Sequence, residues 1–521
     1  MKKLSVFALV AALLTGACGL NGVSGTINYD EVTVNLTNTL YISRDVVAGA
    51  ALEGEDDFNT SCSNPFDAVG VETDVADFLT AVVLDAYEED FGVIHLCAGT
   101  YETDEIIQFP NLGSITIEGD GMDETIIRGI GPAHALLAMV PEDCLPQGPE
   151  DLCPSYFNVL TLKDLTLADG VGDFDAFVLA DEEASAFSTG GAVTAPRVAT
   201  ERVRFSNNSA PCGGAISLYG WTQLITENIG EGEFDEVEYL SSLIRSGSSQ
   251  IINTEFIENS AAIGGAIGGV YFDGGVVDEE IGVGEYNCFN TGPLNIVNST
   301  FEGNSTDLDS GLSVGGAIAT GNLIFLALDG GAVVDDEEDL VELFSQDVWL
   351  SISSSTFTDN YAAAGGGAVL SFGKTSISRT TFTNNSADSL DEYTTGGAIA
   401  VAGELSLSYS KFVGNSASSG GAVALIDAFG GGRVFTRNTF TSNVATDQGG
   451  AIAGWTDAGS ARGNRFTSNR APLGSAVAVE TETCSRTWSR RAARDWRGNT
   501  FRSNRGGRLP VECYVAAPAP S

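Results

Sequence analysis

Short apolar segments, separated by glycine and polar residues, recur through most of the chain, and their periodicity is that of β-strands. Segments such as 398–401 and 404–408 are β-branched or alternate apolar and polar residues, and Gly, Asn and Ser bound them. Alternation with a period of two places successive side chains on opposite faces of a strand. Helical repeats need longer segments than these. The pattern therefore predicts an all-β protein built from many short strands.

A two-part motif accompanies these strands, with a basic period of about 25 residues, close to one coil of a large parallel β-helix. At such a period each unit buries its apolar face only against its neighbours, so the sequence predicts a solenoid. A Gly-Gly-Ala-Ile/Val box begins at Gly190, Gly213, Gly264, Gly315, Gly366, Gly396, Gly420 and Gly449, with a degenerate copy at Gly474. A Phe-x-x-Asn box begins at Phe205, Phe256, Phe301, Phe357, Phe382, Phe412, Phe440, Phe466 and Phe501.

Each box has a physical role in this interpretation. Paired glycines permit backbone angles that other residues avoid at a tight corner, and the Ala and Ile/Val that follow enter a strand. The Phe stacks on its counterpart one coil away, roughly 4.8 Å along the axis. The Asn adopts the left-handed corner conformation and forms an amide ladder with the Asn above. All of these roles are architectural.

The alternating GGA[IV] and FxxN boxes resemble those of chlamydial polymorphic outer-membrane proteins and related bacterial surface β-helix proteins. The resemblance covers roughly residues 160–505 and corresponds to the passenger part of those proteins only. It implies a right-handed parallel β-helix and, since characterised members look like adhesins, a non-enzymatic surface role. Residues 93–101 and 115–121 resemble the opening coils of pectin-lyase-like proteins, and we expect His95 in the first run to be structural.

The domain organisation follows from these patterns. After Thr73, the residues Val75, Phe78, Leu79, Val82, Val83 and Ala86 recur at helical spacing and predict an amphipathic helix that caps the open end of the solenoid. We expect a single β-helix domain over residues 61–515, with its GGA[IV]/FxxN repeats at about 190–505. An anchor-proximal segment, 18–60, precedes it, and an Ala/Pro tail, 516–521, follows it.

The N-terminus predicts export. Lys2 and Lys3 precede a short apolar run and then small residues ending at Cys18, as in a secretory signal peptide over residues 1–17. Small residues directly before a cysteine resemble a bacterial lipobox, so Cys18 is the expected site of lipid attachment. Gly19 rather than Asp follows it, which resembles outer-membrane sorting. The alternative is an ordinary signal peptide with a free Cys18. We therefore expect an outer-membrane lipoprotein displayed at the cell surface.

The cysteine count fits an exported protein. Without Cys18 there are eight cysteines, an even number that is typical of disulfide-bonded proteins. Proximity favours the pairs Cys62–Cys97, Cys144–Cys153 and Cys484–Cys513, which leaves Cys212 and Cys288 as a candidate pair across stacked coils. No CxxC metal spacing occurs and only two histidines exist, so a zinc site is not expected.

Charge excludes one class of partner. The formal net charge is −45, and it is unevenly distributed: residues 19–460 hold 66 acidic and 12 basic residues (−54), whereas 461–521 hold 4 acidic and 11 basic (+7). An electrostatic field this negative excludes ordinary nucleic-acid binding, and it disfavours unaided binding of acidic polysaccharides. The arginines of 486–497 suit either an anionic surface, the acidic body of another copy, or a solvated cap.

Acidity is concentrated in three long turns. They run 43, 37 and 42 residues from glycine box to Phe, against 16 to 20 in the compact turns. Their extra loops, which we name the acidic segments, contain Glu227–Glu238, Asp273–Glu285 and Asp329–Asp347. Because they occupy the same side of three successive repeats, we expect them to emerge side by side on one face, where a rigid scaffold presents binding loops.

Two kinds of residue in the acidic segments are candidates for binding. Carboxylates are the hard oxygen ligands that calcium prefers, although no EF-hand spacing occurs; the candidates are Asp278, Glu279, Glu280, Asp335, Asp336, Glu337, Glu338 and Asp339. Aromatic residues within polar loops suit protein or sugar recognition, unless they pack on the body of the solenoid. These are Phe234, Tyr239, Tyr271, Phe272, Tyr286, Phe289 and Phe344.

Two functional classes follow. The first is a lipid-anchored, non-enzymatic adhesin or interaction scaffold, with the outer membrane and an extracellular protein or glycan as partners and no nucleic acid. The alternative is a polysaccharide lyase or glycoside hydrolase of the same fold. A lyase needs a basic residue to abstract a proton, and only Arg245, Lys374, Arg379 and Lys411 lie between Arg204 and Arg433. No catalytic residue is assigned, and no cofactor is required; Ca²⁺ is the one candidate ion.

Overall fold

The structure is a computed structural model, and its described residues all belong to one compact unit, Leu36–Ser521. It describes residues 39–42, 62, 75–76, 79–80, 82–83, 92–110, 113–131, 136–140, 158–172, 190–225, 240–243, 248–273, 292–306, 313–321, 349–388, 394–426, 432–455, 459–481, 484, 496 and 498–514.

Within these residues the strands form three long sheets. The first contains β1 (Thr39–Ile42), β2 (Val93–Leu96), β3 (Gly99–Thr103), β5 (Ile115–Gly119), β6 (Thr125–Gly129), β8 (Leu160–Ala168), β10 (Val198–Ser206), β14 (Ser249–Ile252), β15 (Glu255–Ile257), β18 (Leu294–Val297), β19 (Thr300–Glu302), β22 (Trp349–Ser353), β23 (Thr356–Thr358), β26 (Lys374–Ser378), β27 (Thr381–Thr383), β30 (Leu405–Ser408), β31 (Lys411–Val413), β34 (Arg433–Thr436), β35 (Thr439–Thr441), β38 (Gly459–Arg462), β39 (Arg465–Thr467) and β42 (Thr500–Arg502). The second contains β11 (Ser209–Cys212), β16 (Ser260–Ile263), β20 (Ser305–Thr306), β24 (Tyr361–Ala362), β28 (Ser386–Ala387), β32 (Ser416–Ser419), β36 (Val444–Gln448), β40 (Arg470–Ala471) and β43 (Arg505–Gly506). The third contains β4 (Ile107–Pro110), β7 (Leu137–Val140), β9 (Val193–Ala195), β12 (Ile216–Ile225), β13 (Leu240–Leu243), β17 (Ile267–Asp273), β21 (Ile318–Thr320), β25 (Val369–Phe372), β29 (Ile399–Ala402), β33 (Val423–Ile426), β37 (Ile452–Trp455), β41 (Val477–Glu480) and β44 (Val511–Tyr514).

Each coil of a typical repeat passes through the three sheets in the same order. It crosses the first sheet as two strands, the second of which carries the stacked Phe, and then crosses the second and third sheets. Successive coils pair in parallel and in register, as in Ile377 with Leu407 and Leu407 with Phe435. The inward residues of these strands are buried and form one continuous apolar core. The predicted fold class, an all-β right-handed parallel β-helix, is confirmed.

The predicted phenylalanine stack is confirmed. Nine rings, from Phe205 to Phe501, lie one above another with centroid separations of 4.5 to 5.0 Å. Eight of the nine are fully buried, and Phe501 at the C-terminal end is partly exposed. The spacing equals the separation of hydrogen-bonded strands, so each ring packs on its neighbour without disturbing the backbone ladder.

The asparagine ladder is also present, but the corner conformation belongs to a different residue. Asn385 Nδ2 donates to Asn415 Oδ1 at 3.0 Å and to the Phe357 carbonyl at 3.0 Å. The left-handed residue is the one before it, Asn384, with φ of +54°. The expectation that the box Asn takes the left-handed conformation is therefore wrong: its side chain must point inward to bond the next coil, and the preceding residue makes the corner.

The two glycines of each box are needed for different reasons. Gly396 has φ of +67°, in the left-handed region that glycine tolerates. A Cβ on Gly397 would lie only 2.2 Å from the carbonyl oxygen of Gly421 on the next coil. The first glycine therefore allows the turn, and the second allows neighbouring coils to approach closely.

The N-terminal boundary differs from the prediction. Thr39–Ile42 pairs in parallel with Val93–Leu96, so the solenoid begins before residue 61. A capping helix is not seen as a bounded element. Six residues in that segment are described as helical, and the four among them that are buried in the core are Ala76, Leu79, Val82 and Val83. The residues between them lie outside the described part, so the capping helix stays a prediction.

Two of the predicted disulfides are confirmed, Cys62–Cys97 and Cys484–Cys513. Cys212 is also disulfide-bonded, and its pairing with Cys288, which lies outside the described residues, stays a prediction. Cys144, Cys153, the signal peptide and Cys18 lie outside the described residues as well. In the part of the chain that the structure describes, we find no helix with the length and apolar character needed to cross a membrane.

Candidate functional site

The three acidic segments leave the solenoid from adjacent coils. They follow the third-sheet strands β12, β17 and β21, whose first residues Ile216, Ile267 and Ile318 pair in parallel register. The chain re-enters the first sheet at β14, β18 and β22, where Ser249, Leu294 and Leu350 are likewise in register. Both ends of each segment are thus fixed to successive coils, about 5 Å apart along the axis.

The first segment starts as a hairpin that extends beyond the solenoid. Strand β12 continues to Ile225 and pairs in antiparallel fashion with β13, with Thr222 opposite Leu243. It also pairs with β17 as far as Asp273. Elongated strands therefore support two of the three segments where they leave the body, and this gives the segments stiff bases.

Most of the predicted binding residues lie outside the described part of the chain. These are the eight calcium candidates at 278–280 and 335–339, and the aromatic residues Phe234, Tyr239, Tyr286, Phe289 and Phe344. The assignment of Tyr271 and Phe272 to a loop is wrong. Their backbone lies in β17, paired with Gly220 and Trp221 of β12, because the strand continues past the usual corner.

On the outer surface of the first coils, Arg128, Arg202 and Arg204 form ion pairs. Arg128 Nε lies 2.7 Å from Asp169 Oδ2. Arg202 pairs with Asp164 at 2.6 Å and also with Glu201. Hydrogen bonds to Asp164, and then to Glu201, raise the pKa of the Arg202 guanidinium above its ordinary value.

Arg204 is paired in the same way. Its guanidinium bonds Asp123 and Glu255, both at 2.7 Å, and these hydrogen bonds raise its pKa, the bond to Asp123 having the larger effect. The positive charges of these three arginines are therefore paired with carboxylates of the same coils.

His95 lies between two carboxylates near the start of the solenoid. Its Nδ1 is 3.0 Å from Glu118 Oε1, and its Nε2 is 3.0 Å from Asp120 Oδ1. Asp120 also accepts a 2.7 Å hydrogen bond from the backbone N–H of Ala98. Cys62, His95 and Asp120 come close enough to hold a metal ion, but the Cys62 sulfur is in a disulfide and is not a thiolate ligand. These contacts fit the structural role expected for His95.

One arrangement on the outer surface was not found by sequence reasoning. The residues three positions before the stacked Phe are Arg379, Tyr409 and Arg437 in three successive coils, and the tyrosine ring lies between the two guanidinium groups. In sequence they are separated by about 30 residues and belong to no motif. Aligning the repeats on the Phe would have placed them in one column.

The repeats match a known family. Residues 202–219, 354–371 and 379–402 match the Chlamydia polymorphic membrane protein (Chlamydia_PMP) repeat, and each match contains a Phe box and the glycine box that follows it. The resemblance stated for the two boxes is confirmed. Fold and repeats together define a parallel β-helix protein with polymorphic-membrane-protein-like repeats. No curated protein sequence matches the chain.

Two solved structures have an architecture similar to that of this chain. The crystal structure of the Agl-KA catalytic domain is 12% identical, with 92% of this chain and 69% of that chain covered and a TM-score of 0.38. The A-module of the Azotobacter vinelandii mannuronan C-5 epimerase AlgE4 is 11% identical, with 85% and 96% covered and a TM-score of 0.29. At TM-scores this low, neither likeness bears on what this chain does.

Proposed function

We propose that the protein is a lipid-anchored, non-enzymatic adhesin or interaction scaffold, displayed at the surface of a bacterial outer membrane, whose acidic segments bind an extracellular protein or glycan. One observation carries the proposal: the three acidic segments begin and end on three successive coils in register. Long segments gathered at one corner of a rigid body are the usual form of a binding surface.

The scaffold supports this role through its interior. The stems of the segments stand on coils whose Phe rings are fully buried and stacked and whose Asn side chains are bonded from coil to coil. Such a body holds the ends of the segments in place, so their ordering on binding costs less conformational entropy.

Calcium fits the same corner. Carboxylates at 278–280 and 335–339 belong to segments that start one coil apart, and like charges that come close together repel each other unless cations lie between them. Oxygen-rich sites of this kind suit Ca²⁺. We therefore propose calcium as a structural ion of the acidic segments rather than as a catalytic cofactor.

Surface display rests on the N-terminus and on the repeats. The repeat that matches is named for a membrane protein, and Cys18 follows a lipobox-like sequence. Labelling of cells with an alkyne fatty acid should mark the wild-type protein and not the Cys18→Ser variant, and protease added to intact cells should cleave the wild type. Labelling of Cys18→Ser, or protection from protease in intact cells, would contradict this part of the proposal.

The central experiment uses residues 19–521 on an array of glycans and extracellular-matrix proteins, with and without calcium. In three variants, each acidic segment in turn is replaced by the short turn of a compact coil. A matched control replaces residues 427–431, which leave the same side of a compact coil. We expect the wild type and the control to bind a ligand on the array, and we expect the three variants to lose this binding.

The same wells are assayed for released reducing or unsaturated sugar ends. Catalytic release of such ends would overturn the non-enzymatic proposal and favour the lyase or hydrolase alternative. Binding that survives replacement of all three segments would place recognition elsewhere on the solenoid.

A further inference from the structure

A second surface lies on the first sheet of the C-terminal coils, and we name it the basic flank: Arg379, Tyr409, Lys411, Arg437 and Arg465. Tyr409 is 50% exposed and has φ of +53°, a conformation that bulky residues seldom adopt. Arg437 Nη1 donates to Tyr409 Oη at 2.6 Å. The Cζ atoms of Arg437 and Arg379 lie 5.5 and 6.0 Å from the ring centroid.

A neighbouring column repeats the pattern. Lys411, Thr439 and Arg465 are paired in register on three successive coils, each directly before a stacked Phe. Lys411 and Arg465 are exposed, and a threonine hydroxyl lies between them. In both columns the cations therefore recur on every second coil, about 10 Å apart, with an aromatic ring or a hydroxyl between.

The cations of the basic flank lack the partners that cations have elsewhere. Among the described residues, Arg379, Lys411, Arg437 and Arg465 form no ion pair with a carboxylate, whereas Arg128, Arg202 and Arg204 of the first coils do. Arg437 donates one hydrogen bond to Tyr409 and Arg465 donates one to Thr467; without a carboxylate partner, their other donors can bond an external anion.

We propose that the basic flank binds a linear acidic polysaccharide that lies along the solenoid axis and carries a carboxylate or sulfate on each disaccharide. Two coils span about the length of one disaccharide in an extended chain, so successive anionic groups meet successive cations. The Tyr409 ring offers an apolar face to a sugar ring, and its neighbouring hydroxyls offer hydrogen bonds. This surface lies on coils that follow those holding the ends of the acidic segments, and the inference goes beyond the proposed function.

The negative charge of the whole chain does not forbid this contact. At physiological ionic strength the field of exposed charges is screened within about 8 Å, so the cations that touch the ligand outweigh carboxylates that lie farther away than this. We expect the acidic body to bind acidic polysaccharides poorly, and the basic flank is the local exception that we propose.

The test uses the full chain in detergent, with heparin oligosaccharides and oligogalacturonate as probes and dextran as the neutral control. The triple variant Arg379→Gln, Lys411→Gln, Arg437→Gln removes three contacts, each worth about tenfold in affinity, so we expect at least about a hundredfold loss. The matched control, Arg128→Gln, Arg202→Gln, Arg204→Gln, removes the same charge from paired arginines and should bind as the wild type does.

Tyr409→Ala should weaken binding about fivefold, and added salt should weaken the wild type far more than the triple variant. Equal losses in the triple variant and its control would overturn the proposal, since net charge alone would then explain binding. Wild-type self-association that the triple variant abolishes, without polysaccharide binding, would also overturn it and make the flank a contact between copies.

Discussion

The coils up to Thr320 and the coils from Trp349 onward share one interior and differ on the outside. Phe256 and Phe301 stack at 4.6 Å in the first set, and Phe382 and Phe412 at 4.9 Å in the second. The first set carries long acidic segments and the ion-paired arginines Arg128, Arg202 and Arg204, whereas the second has shorter turns and carries the basic flank, whose cations form no ion pair among the described residues. The difference shows that the interior fixes the geometry of each coil and leaves its surface free to vary.

The largest expected effect is on the phenylalanine stack. Phe256→Ala and Phe382→Ala each remove a fully buried ring, so each should lower the free energy of unfolding by about 3–5 kcal/mol. If the two sets share one interior, the two losses agree within about 1 kcal/mol. Unfolding in urea, detected by hydrogen exchange at the altered coil, measures the loss in each variant. A large loss in only one set would break the comparison.

The asparagine ladder should give the next largest effect. In Asn385→Ala, the backbone N–H and the Nδ2 of Asn360 lose their common acceptor, which should cost about 1–3 kcal/mol. Asn259→Ala removes the same acceptor from Asn208 and should cost as much. Asn384→Gly is the control, since that side chain is exposed at the outer corner and glycine tolerates its left-handed φ. A loss in the control that matches the ladder variants would mean that the ladder contributes little.

Replacing an acidic segment should change the free energy of unfolding less than the substitutions in the phenylalanine stack or in the asparagine ladder. When residues 274–293 are replaced by the two-residue turn of 403–404, the shorter loop should raise the unfolding free energy by at most about 2 kcal/mol. Thermal unfolding with and without calcium tests this. Strong destabilisation would mean that the segment belongs to the core of its coil and is not a surface addition.

The smallest expected effect on stability is the difference between the ion-paired arginines of the first coils and the cations of the basic flank. Arg204→Gln breaks two partly exposed ion pairs and should cost at most about 1 kcal/mol at low salt, whereas Arg465→Gln should cost nothing measurable. The raised pKa of Arg204 makes this stabilisation fully present below the ordinary arginine pKa and lost only as pH rises through the raised value. Between roughly pH 5 and pH 9 it should therefore depend on salt and not on pH. Equal costs for both variants would contradict the difference between the surfaces.

The features that could be predicted from the sequence are those that repeat from coil to coil. The stacked Phe, the bonded Asn and the paired glycines recur through the repeats at about 190–505, so their roles follow from spacing alone. Thr39–Ile42 was missed as a strand because no box accompanies it. The left-handed position was assigned to the wrong residue, because sequence does not show which of two neighbours points inward.

The surface was less predictable, since it does not repeat. Spacing indicated correctly that the acidic segments start from adjacent coils, because only their stems obey the period. The column that contains Tyr409 depends on three residues about 30 positions apart, and it emerges only when the coils are aligned in register. Ion pairing, which distinguishes Arg204 from Arg465, requires distances that no sequence pattern supplies.

Because the coils pair in register, the solenoid also sets regular distances between groups on its surface. Every surface group stands at a whole number of coil heights from every other, in steps of about 4.8 Å. Duplication or deletion of one repeat would leave the interior intact and move the acidic corner relative to the basic flank by one step. A change in the number of repeats therefore changes the distance between two bound partners and leaves both binding surfaces as they are.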